Sequence, residues 1–282
     1  MPTTPPPSSA GWPGLDDHLH VRLLAASCLT IDHRWNAQRV RSSYWRLYVH
    51  GRSGAWLALE RGRHALPPRQ VHFVPPWVRF SCHNTRPLRH LFLHFDLLPL
   101  PAAVVRELFP APVSLAPNTT TRSAIAMLRR QFQQRADRDA PVTVAAAKTL
   151  AYAALTSLFD QLEPAQAHRL QAFARGEHPV GPALRHIDQY LDEPLDNAQL
   201  AELCHFSESH FIRRFRDTLG QTPAQYILER RISRAAEQLL FTDQSIDHIA
   251  ASTGFANRFH FTRMFTRRMG LPPAQYRRTD RV

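Results

Sequence analysis

One sequence pattern occurs twice in the C-terminal third of this 282-residue chain. The run Ser-Glu-Ser-His-Phe-Ile-Arg-Arg-Phe at 207–215 returns as Asn-Arg-Phe-His-Phe-Thr-Arg-Met-Phe at 257–265. Gly-Gln-Thr-Pro-Ala-Gln-Tyr at 220–226 likewise returns as Gly-Leu-Pro-Pro-Ala-Gln-Tyr at 270–276. A repeat of this length indicates two equivalent structural modules.

The two copies differ by one residue in length. Both repeated runs are offset by 50 residues, whereas the pairs that precede them, Leu200-Ala201 and Ile249-Ala250, are offset by 49. The second copy therefore has one extra residue between its two helices.

Capping signals mark the helices of this region. Side chains that can cap a first turn, or a glycine that can end a helix, occur at regular points: Asp196, Ser207, Gly220, Thr222 with Pro223, Ser245, Asn257 and Gly270. The predicted helices lie at about 182–192, 197–204, 208–219, 223–240, 246–253, 258–269 and 273–278.

Each copy has the form of a helix, a tight turn and a second helix, which is the helix-turn-helix arrangement. In the second helix of each copy, apolar residues at four-residue spacing form a core stripe, and polar residues face outward. The stripes are Phe211, Phe215 and Leu219 in the first copy, and Phe261, Phe265 and Met269 in the second.

The charge distribution supports DNA binding only locally. The chain has a formal net charge of +12, yet residues 181–282 hold 14 Arg against 12 Asp and Glu. Helix 257–269, by contrast, carries four arginines and no acidic residue. A basic helix face of this kind is typical of a DNA-binding surface, although a single arginine on it could equally be a solvated side chain.

The outward residues predict specific DNA contacts. The first turns of a recognition helix reach base edges, where Arg can donate a bidentate pair of hydrogen bonds to guanine, and later residues meet phosphates. We predict base contacts for Ser209, Arg213, Arg258, Thr262 and Arg263. We predict DNA backbone contacts for Arg214, Arg216, Arg267 and Arg268.

The N-terminal part changes from strand to helix periodicity. Short β-branched and aromatic segments separated by Gly and Pro predict strands at 21–29, 40–50, 55–60, 70–74, 77–82 and 88–95, arranged as a sandwich or small barrel. Helical stripes follow at 121–136 and 142–162. These stripes pack on the sheet or on each other, and part of them could form a dimer contact.

Composition excludes several classes of protein. Cys28, Cys82 and Cys204 are too scattered for a disulfide framework or a cysteine zinc site, and indicate reduced thiols in the cytoplasm. The N-terminus lacks the cationic start and apolar run of a signal peptide, and neither apolar window, 91–105 or 142–162, predicts a membrane span. We therefore expect a soluble, cytoplasmic protein.

The sequence predicts neither a catalytic site nor a metal site. Five histidines fall on predicted strands or their connections, but none forms the His-x-His pair of a catalytic cupin: His64, His72, His83, His90 and His94. There is no Gly-x-Ser-x-Gly motif and no phosphate-binding loop. We expect no cofactor and no enzymatic activity.

At its C-terminal end, over about 181–279, the chain resembles the DNA-binding domain of the AraC/XylS family of bacterial transcription regulators. The resemblance rests on Leu200, Ala201, Ser207, Phe215, Gly220, Pro223, Tyr226, Arg231, Ala235, Leu239, Leu240, Ile249, Ala250, Gly254, Phe255, Phe261, Phe265, Gly270, Pro273, Tyr276 and Arg277. It implies two helix-turn-helix subdomains, at about 197–219 and 246–269, joined by a linker helix at 223–240. Phe259 departs from the small or polar residue common at its position.

A looser resemblance covers the strand-rich part. Residues 54–76 look like the cupin-type sensing barrel common in this family, which is followed by helices used for dimerisation. This implies a small-molecule effector bound in the barrel and a homodimer, but it assigns no effector-binding residue. Activation, which requires contact with RNA polymerase, is the commoner mode in the family.

The expected architecture is a two-domain α+β protein. It comprises a disordered tail at 1–18, a cupin-like effector-binding and dimerisation domain at 19–163, a linker at 164–180 and a DNA-binding domain at 181–282. The favoured function is an effector-responsive regulator that binds double-stranded promoter DNA. The alternative is a cupin-type metalloenzyme fused to a DNA-binding module, for which bound metal would be the discriminating observation.

Overall fold

The computed structural model describes residues 19–98, 100–134, 140–175 and 178–278. The predicted disordered tail at 1–18 lies outside the described residues. A β-rich N-terminal part precedes a helical C-terminal part, as the sequence predicts. The strands are β1 His20–Ile31, β2 Trp45–His50, β3 Ala55–Leu59, β4 Arg63–Ala65, β5 Val71–Val74, β6 Phe80–Asn84, β7 Leu88–Leu98 and β8 Val113–Leu115.

Two antiparallel sheets contain these strands. The larger sheet has the order β1-β7-β2-β5-β8 and the smaller has the order β4-β3-β6. All six residues of β2 are buried, because its two faces pack in different cores. Trp45, Leu47 and Val49 point into a core shared with helices, whereas Tyr48 packs with residues of the smaller sheet such as Leu57.

Two strand predictions are too long at their N-terminal ends. The strand predicted at 40–50 begins only at Trp45, and Val40 pairs with Phe80 as an isolated bridge. The strand predicted at 77–82 begins at Phe80, because Trp77 has a φ of 68° and cannot continue an extended strand. The short strands β4 and β8 escape sequence prediction because their three residues give no periodicity.

Four helices follow β7 in the N-terminal part, with β8 between the first two: α1 Ala102–Leu108, α2 Thr119–Gln134, α3 Pro141–Phe159 and α4 Pro164–Ala174. Helix α3 packs against α2 and β1. By length and composition alone, α3 is apolar enough to cross a membrane, but buried core helices of soluble proteins meet the same two criteria. Helix α4 occupies most of the segment predicted as a linker and buries Leu170 and Phe173.

Seven further helices follow: α5 Gly181–Gln189, α6 Asn197–Leu203, α7 Glu208–Leu219, α8 Pro223–Phe241, α9 Ile246–Ser252, α10 Arg258–Met269 and α11 Pro273–Tyr276. Most predicted caps are present. Asp196, Thr222, Ser245 and Asn257 accept hydrogen bonds from backbone N–H groups of the first turns. Ser207 occupies the N-cap position of α7, but its hydroxyl makes no capping hydrogen bond, contrary to the prediction.

The extra residue of the second copy is Ala256. Both turns begin alike, with a left-handed residue, His205 or Gly254, followed by a backbone hydrogen bond from Phe206 or Phe255 to the preceding helix. These pairs keep the offset of 49 residues. The offset becomes 50 only at the N-caps of α7 and α10, so the insertion lies just before α10 and leaves the turn itself unchanged.

Helix α8 divides its buried residues between two hydrophobic cores. Tyr226 and Ile227, near its start, belong to the large core that also contains the five-stranded sheet, α2, α3 and the α6–α7 pair. Ile232 and Leu239, nearer its end, belong to a separate core with the α9–α10 pair. Trp77, which precedes β6, inserts into this second core.

Gly254 lies in the turn before α10, at a position where a larger residue should be strained. Its φ is 78°, and a β-carbon there would lie 2.7 Å from the Arg231 guanidinium, which donates to the carbonyls of Leu191 and Glu193. We predict that Gly254→Ala lowers the free energy of unfolding by about 3 kcal/mol, from left-handed backbone strain and loss of these hydrogen bonds. The matched control is Gly220→Ala, where φ is 67° and nothing lies within 4 Å.

Urea unfolding of both variants measures this difference. Gly220→Ala should cost about 1 kcal/mol, from backbone strain alone. Equal losses in the two variants would show that Arg231 moves aside without cost.

Candidate nucleic-acid interface

The outward face of α10 is a continuous, open surface. Its shallow concavity is lined by Arg258, Phe259, Thr262, Arg263, Thr266 and Arg267. The opposite face carries Phe261, Phe265 and Met269, which are fully buried. Phe259 is 86% exposed, an unusual state for a phenylalanine in a folded protein. This combination of exposed cations with an exposed aromatic ring suits contact with a charged partner that also has apolar groups.

The outward face of α7 is more mixed in charge. Ser209, Arg213, Arg214 and Arg216 are all exposed, and Ile212 is half-buried among them. The same helix carries Glu208 and Asp217, whereas α10 has no acidic residue. The two helices therefore share a buried stripe but present different surfaces.

Two of the arginines predicted to bind DNA already have acidic partners. Arg258 forms an ion pair with Asp247 at 2.9 Å, and both side chains are exposed, so this pair is weak. Arg268 instead turns away from the open face of α10. It contacts the carboxylate of Glu229, and its guanidinium lies over the ring of Trp77, 5.1 Å from the ring centroid. The backbone contact predicted for Arg268 stays a prediction, and it would require the loss of these contacts.

The sheets contact the helical part through several polar groups. Glu229 on α8 is 1% exposed and also accepts a hydrogen bond from Arg106 of α1 at 3.0 Å. Arg41 donates to the backbone oxygen of Arg268 at 2.8 Å, near the end of α10. The Tyr276 hydroxyl donates to the backbone oxygen of Arg41 at 3.2 Å.

A second set of polar contacts joins β1 to α8. Arg22 bridges Asp96 at 3.1 Å and Glu237 at 2.8 Å. Burial raises the pKa of Glu237 to about 7, with a further increase from nearby Asp96. Arg22 pulls this pKa in the opposite direction, but the loss of hydration outweighs its attraction.

The larger sheet encloses a small cavity of about 80 Å³ between its inner face and the end of α8. Aromatic and imidazole rings dominate its lining, which includes Trp35, Tyr48, His90, Phe92, His94 and Phe241. Arg46, also in the lining, is buried and donates to the hydroxyls of Ser42, Tyr44 and Tyr48. Among the described residues, Phe241 is the one that the helical part contributes to the lining, and its ring lies 6.1 Å from that of Tyr44.

Buried histidines lie next to this cavity. His50 and His90 are within hydrogen-bonding distance at 3.1 Å, and His72 contacts the Ser114 hydroxyl at 2.7 Å. Burial lowers the pKa of His50 to about 3 and of His72 to about 4, and it holds the pKa of His90 well below its usual range. These rings are therefore neutral near pH 7. Within the described ranges, no group of three His, Cys, Asp or Glu residues is arranged to hold a metal ion.

Sequence reasoning located the exposed helix faces but missed the contacts between the two parts. Arg41, Trp77, Arg106 and Glu229 come from four separate segments and share no motif. His50 was not predicted either. It ends β2, which is buried on both faces, and the sequence does not show that its second face is covered.

Comparison with known proteins places the helical part among regulators. Residues 200–279 match the sequence family described as a helix-turn-helix domain. The MmsAB operon regulatory protein of Pseudomonas aeruginosa is 32% identical over 96 residues, which are 34% of this chain and 31% of that protein. The regulatory protein SoxS of Salmonella typhimurium is 34% identical over 91 residues, which are 32% of this chain and 85% of SoxS. The chain thus matches most of SoxS but less than a third of the MmsAB regulator.

Most of the chain has a fold similar to that of a solved structure of about the same length. The crystal structure of wild-type ToxT from Vibrio cholerae, bound to an unsaturated fatty acid, aligns with 92% of this chain and 94% of its own. The TM-score is 0.53 and the sequence identity is 12%. At this identity the similarity concerns the fold, a β-rich part followed by a helical part.

Glu237 predicts a pH dependence of stability. Its ordinary pKa is 4.5 and its pKa in the folded protein is about 7, so the folded state binds the proton more tightly. The contribution of Glu237 to stability is therefore most favourable below pH 4.5 and is lost as the pH rises to about 7, by on the order of 3 kcal/mol. We predict that Glu237→Gln is progressively more stable than the wild type between pH 5 and about pH 8.

Chemical denaturation across this pH range measures the difference. Glu107→Gln is the matched control, because Glu107 forms an exposed ion pair with Arg169. This control shows how the loss of an exposed carboxylate affects stability. A difference between Glu237→Gln and the wild type that does not change with pH would contradict the raised pKa of Glu237.

Proposed function

This chain belongs to the AraC/XylS family of bacterial transcription regulators, and we propose that it binds promoter DNA sequence-specifically in response to a small-molecule effector. The observation that carries the proposal is the open face of α10, with exposed arginines and no acidic residue. Arginine pairs with both phosphate oxygens and guanine edges, so such a face serves affinity and specificity together.

We propose that the α6–α7 and α9–α10 pairs are two helix-turn-helix units, with α7 and α10 as their recognition helices. Helix α8 joins the units and sets their separation, because its two halves are buried in the separate cores that hold them. Recognition helices of this type enter successive major-groove segments about one turn of DNA apart. Since the two outward faces differ, the two half-sites should differ in sequence.

The proposed base contacts are Ser209, Arg213, Arg258, Thr262 and Arg263, and the proposed backbone contacts are Arg214, Arg216, Arg267 and Arg268. The α10 face should provide most of the electrostatic attraction, because nothing acidic lies on that helix. The acidic residues of α7 weaken its attraction for phosphate, so α7 contributes more to discrimination. Phe259 is placed to touch a thymine methyl group.

We propose that the N-terminal part is a cupin-like sensing domain whose effector occupies the cavity beside Phe241. A volume of about 80 Å³ holds only a few water molecules, so a larger effector must displace the Phe241 ring. Because Phe241 is the last residue of α8, its displacement would change the helix that joins the two proposed DNA-binding units. This route would connect the effector to DNA binding.

We further propose a homodimer that uses α2 and α3, in which Met127 and Tyr152 are exposed large apolar residues. Activation through contact with RNA polymerase is the proposed mode of regulation.

Selection of bound fragments from genomic DNA tests the function as a whole. Enrichment of a shared motif with two unlike half-sites is the expected result, and the absence of any enriched motif would contradict the proposal.

Arg263 is the sharpest test of base reading. We predict that Arg263→Ala costs about 1 to 3 kcal/mol of binding free energy on the selected site and relaxes the preference at one base position. A bidentate arginine specifies guanine, so its loss should affect one position and leave the others unchanged. Binding-site selection with the variant measures this directly, and an unchanged motif would contradict the assignment of Arg263 to a base contact.

Arg267 should behave differently, although it lies on the same helix face. We predict that Arg267→Ala weakens binding by a similar factor on specific and unrelated DNA, and lowers the salt dependence of binding by about one counterion. Titrations at several salt concentrations, on both DNAs, provide the measurement. A loss confined to the selected site would mean that Arg267 reads a base.

A further inference from the structure

An open cleft of about 670 Å³ lies where the smaller sheet, α1 and the segment before β6 meet, apart from the cavity beside Phe241. Its walls combine cations with apolar surface. The residues that matter here are Arg41, Arg61, Arg79, Arg106, Trp77 and Phe109. None of them belongs to the proposed recognition helices.

Positive charge exceeds negative charge around the cleft. The four arginines face a single acidic residue in the lining, Glu60, which is 74% exposed and no closer than 3.9 Å to Arg79. Arg106 does pair with Glu229, but that carboxylate is shared with Arg268. Burial lowers the pKa of Arg41, and the neighbouring charges of Arg79, Arg268 and Arg106 lower it further.

Arg41 is held in place by backbone oxygens. Its Nε donates to the Trp77 carbonyl at 3.1 Å, and its Nη1 donates to the Arg268 carbonyl at 2.8 Å. Among the described residues no carboxylate lies within ion-pairing distance of Arg41. Among the residues that the structure describes, cations thus outnumber anions at this point.

Trp77 is held in a conformation that a bulky residue rarely adopts. Its φ is 68°, which is costly for a side chain of this size, and strain of this kind concentrates at functional sites. The guanidinium groups of Arg41 and Arg268 lie over its ring, at 5.6 and 5.1 Å from the centroid. Its indole Nε1 is buried and has no hydrogen-bond acceptor among the described residues.

We propose that this cleft binds a small multivalent organic anion, with its phosphate or carboxylate groups on Arg41, Arg61 and Arg79 and its apolar part against Val78 and Pro110, apolar lining residues that are not fully buried. Arginine forms bidentate, charge-assisted hydrogen bonds with both kinds of group. A multivalent anion would balance the excess of positive charge among the described residues of the lining.

Binding of such an anion would affect the end of α10. Arg41 donates a hydrogen bond to the Arg268 carbonyl in the last turn of that helix. The guanidinium of Arg79 is close to Gly270, which ends the helix, since a β-carbon placed on Gly270 would lie 3.6 Å from it. The anion would also compete with Glu229 for Arg106 and Arg268. This regulatory consequence rests on the proposed DNA-binding function, whereas anion binding itself does not.

Isothermal titration calorimetry of the full chain tests the proposal, with inorganic pyrophosphate and citrate as probes and acetate as the monovalent control at equal ionic strength. We expect pyrophosphate or citrate to bind one site per chain and acetate to show no saturable binding. The double variant Arg61→Gln/Arg79→Gln should weaken binding at least about tenfold, because it removes the charge-assisted hydrogen bonds of two guanidinium groups. Arg52→Gln, an exposed arginine outside the cleft lining, should leave binding unchanged.

Several results would overturn the proposal. One is the absence of binding by either probe at millimolar concentration. Another is binding that survives in the double variant but is lost in Arg263→Gln, which would place the anion on the proposed DNA-binding face. A third is a loss of affinity for all DNA sequences in the double variant without added anion, which would make the cleft a DNA backbone contact.

The two proposals can fail separately. Anion binding by a protein that selects no DNA motif would contradict the regulatory function and leave the anion site intact. Selection of a DNA motif by a protein that binds no anion would contradict the anion site and leave the regulatory function intact. Thermal unfolding of the double variant checks that its fold is retained, as expected for two exposed side chains.

Discussion

A single buried carboxylate joins parts of the chain that are far apart in sequence. Glu229 lies midway along α8 and contacts Arg106 from α1 and Arg268 from α10. Removal of a carboxylate from water costs several kcal/mol unless cations and hydrogen bonds replace its hydration. The orientation of α10 against the sheets therefore depends on both arginines reaching the same oxygen of one side chain.

The position of Glu229 coincides with the division of α8 between two cores. Tyr226 and Ile227, before it, pack with the sheets and the α6–α7 pair, whereas Ile232 and Leu239, after it, pack with the α9–α10 pair and Trp77. The first helix pair is thus continuous with the core of the N-terminal part. The second pair forms its own core and is fastened to the N-terminal part mainly by Trp77 and polar contacts, so it is the unit that can change position at lower cost.

The arginines of α10 and its surroundings fall into an exposed group and a bound group. Those on the open face of α10 are exposed and can reach phosphates. At the end of the same helix, Arg268 is bound to Glu229 and Trp77, and Arg41 holds its carbonyl. Any partner that binds Arg268 must compete with these contacts, so binding and the closed arrangement of the two parts are thermodynamically linked.

The sequence by itself determined the helices of the C-terminal part and, for α7 and α10, the division into a buried and an outward face. Caps, glycines with positive φ and four-residue apolar spacing are local signals, and local hydrogen bonds and packing enforce them wherever the helix lies. The doubled pattern also identified the one-residue difference between the copies, which the structure places at Ala256.

Only the tertiary structure decided which charged side chains remain free. Arg263, Arg267 and Arg268 look alike in the sequence, yet Arg268 is directed to a carboxylate that is 39 residues away and is brought near by the packing of α8. The burial of His50, the turn at Trp77 and the cationic cleft likewise arise from contacts between distant segments. No local pattern encodes such contacts, because their energy depends on charges and surfaces that meet only after the chain has folded.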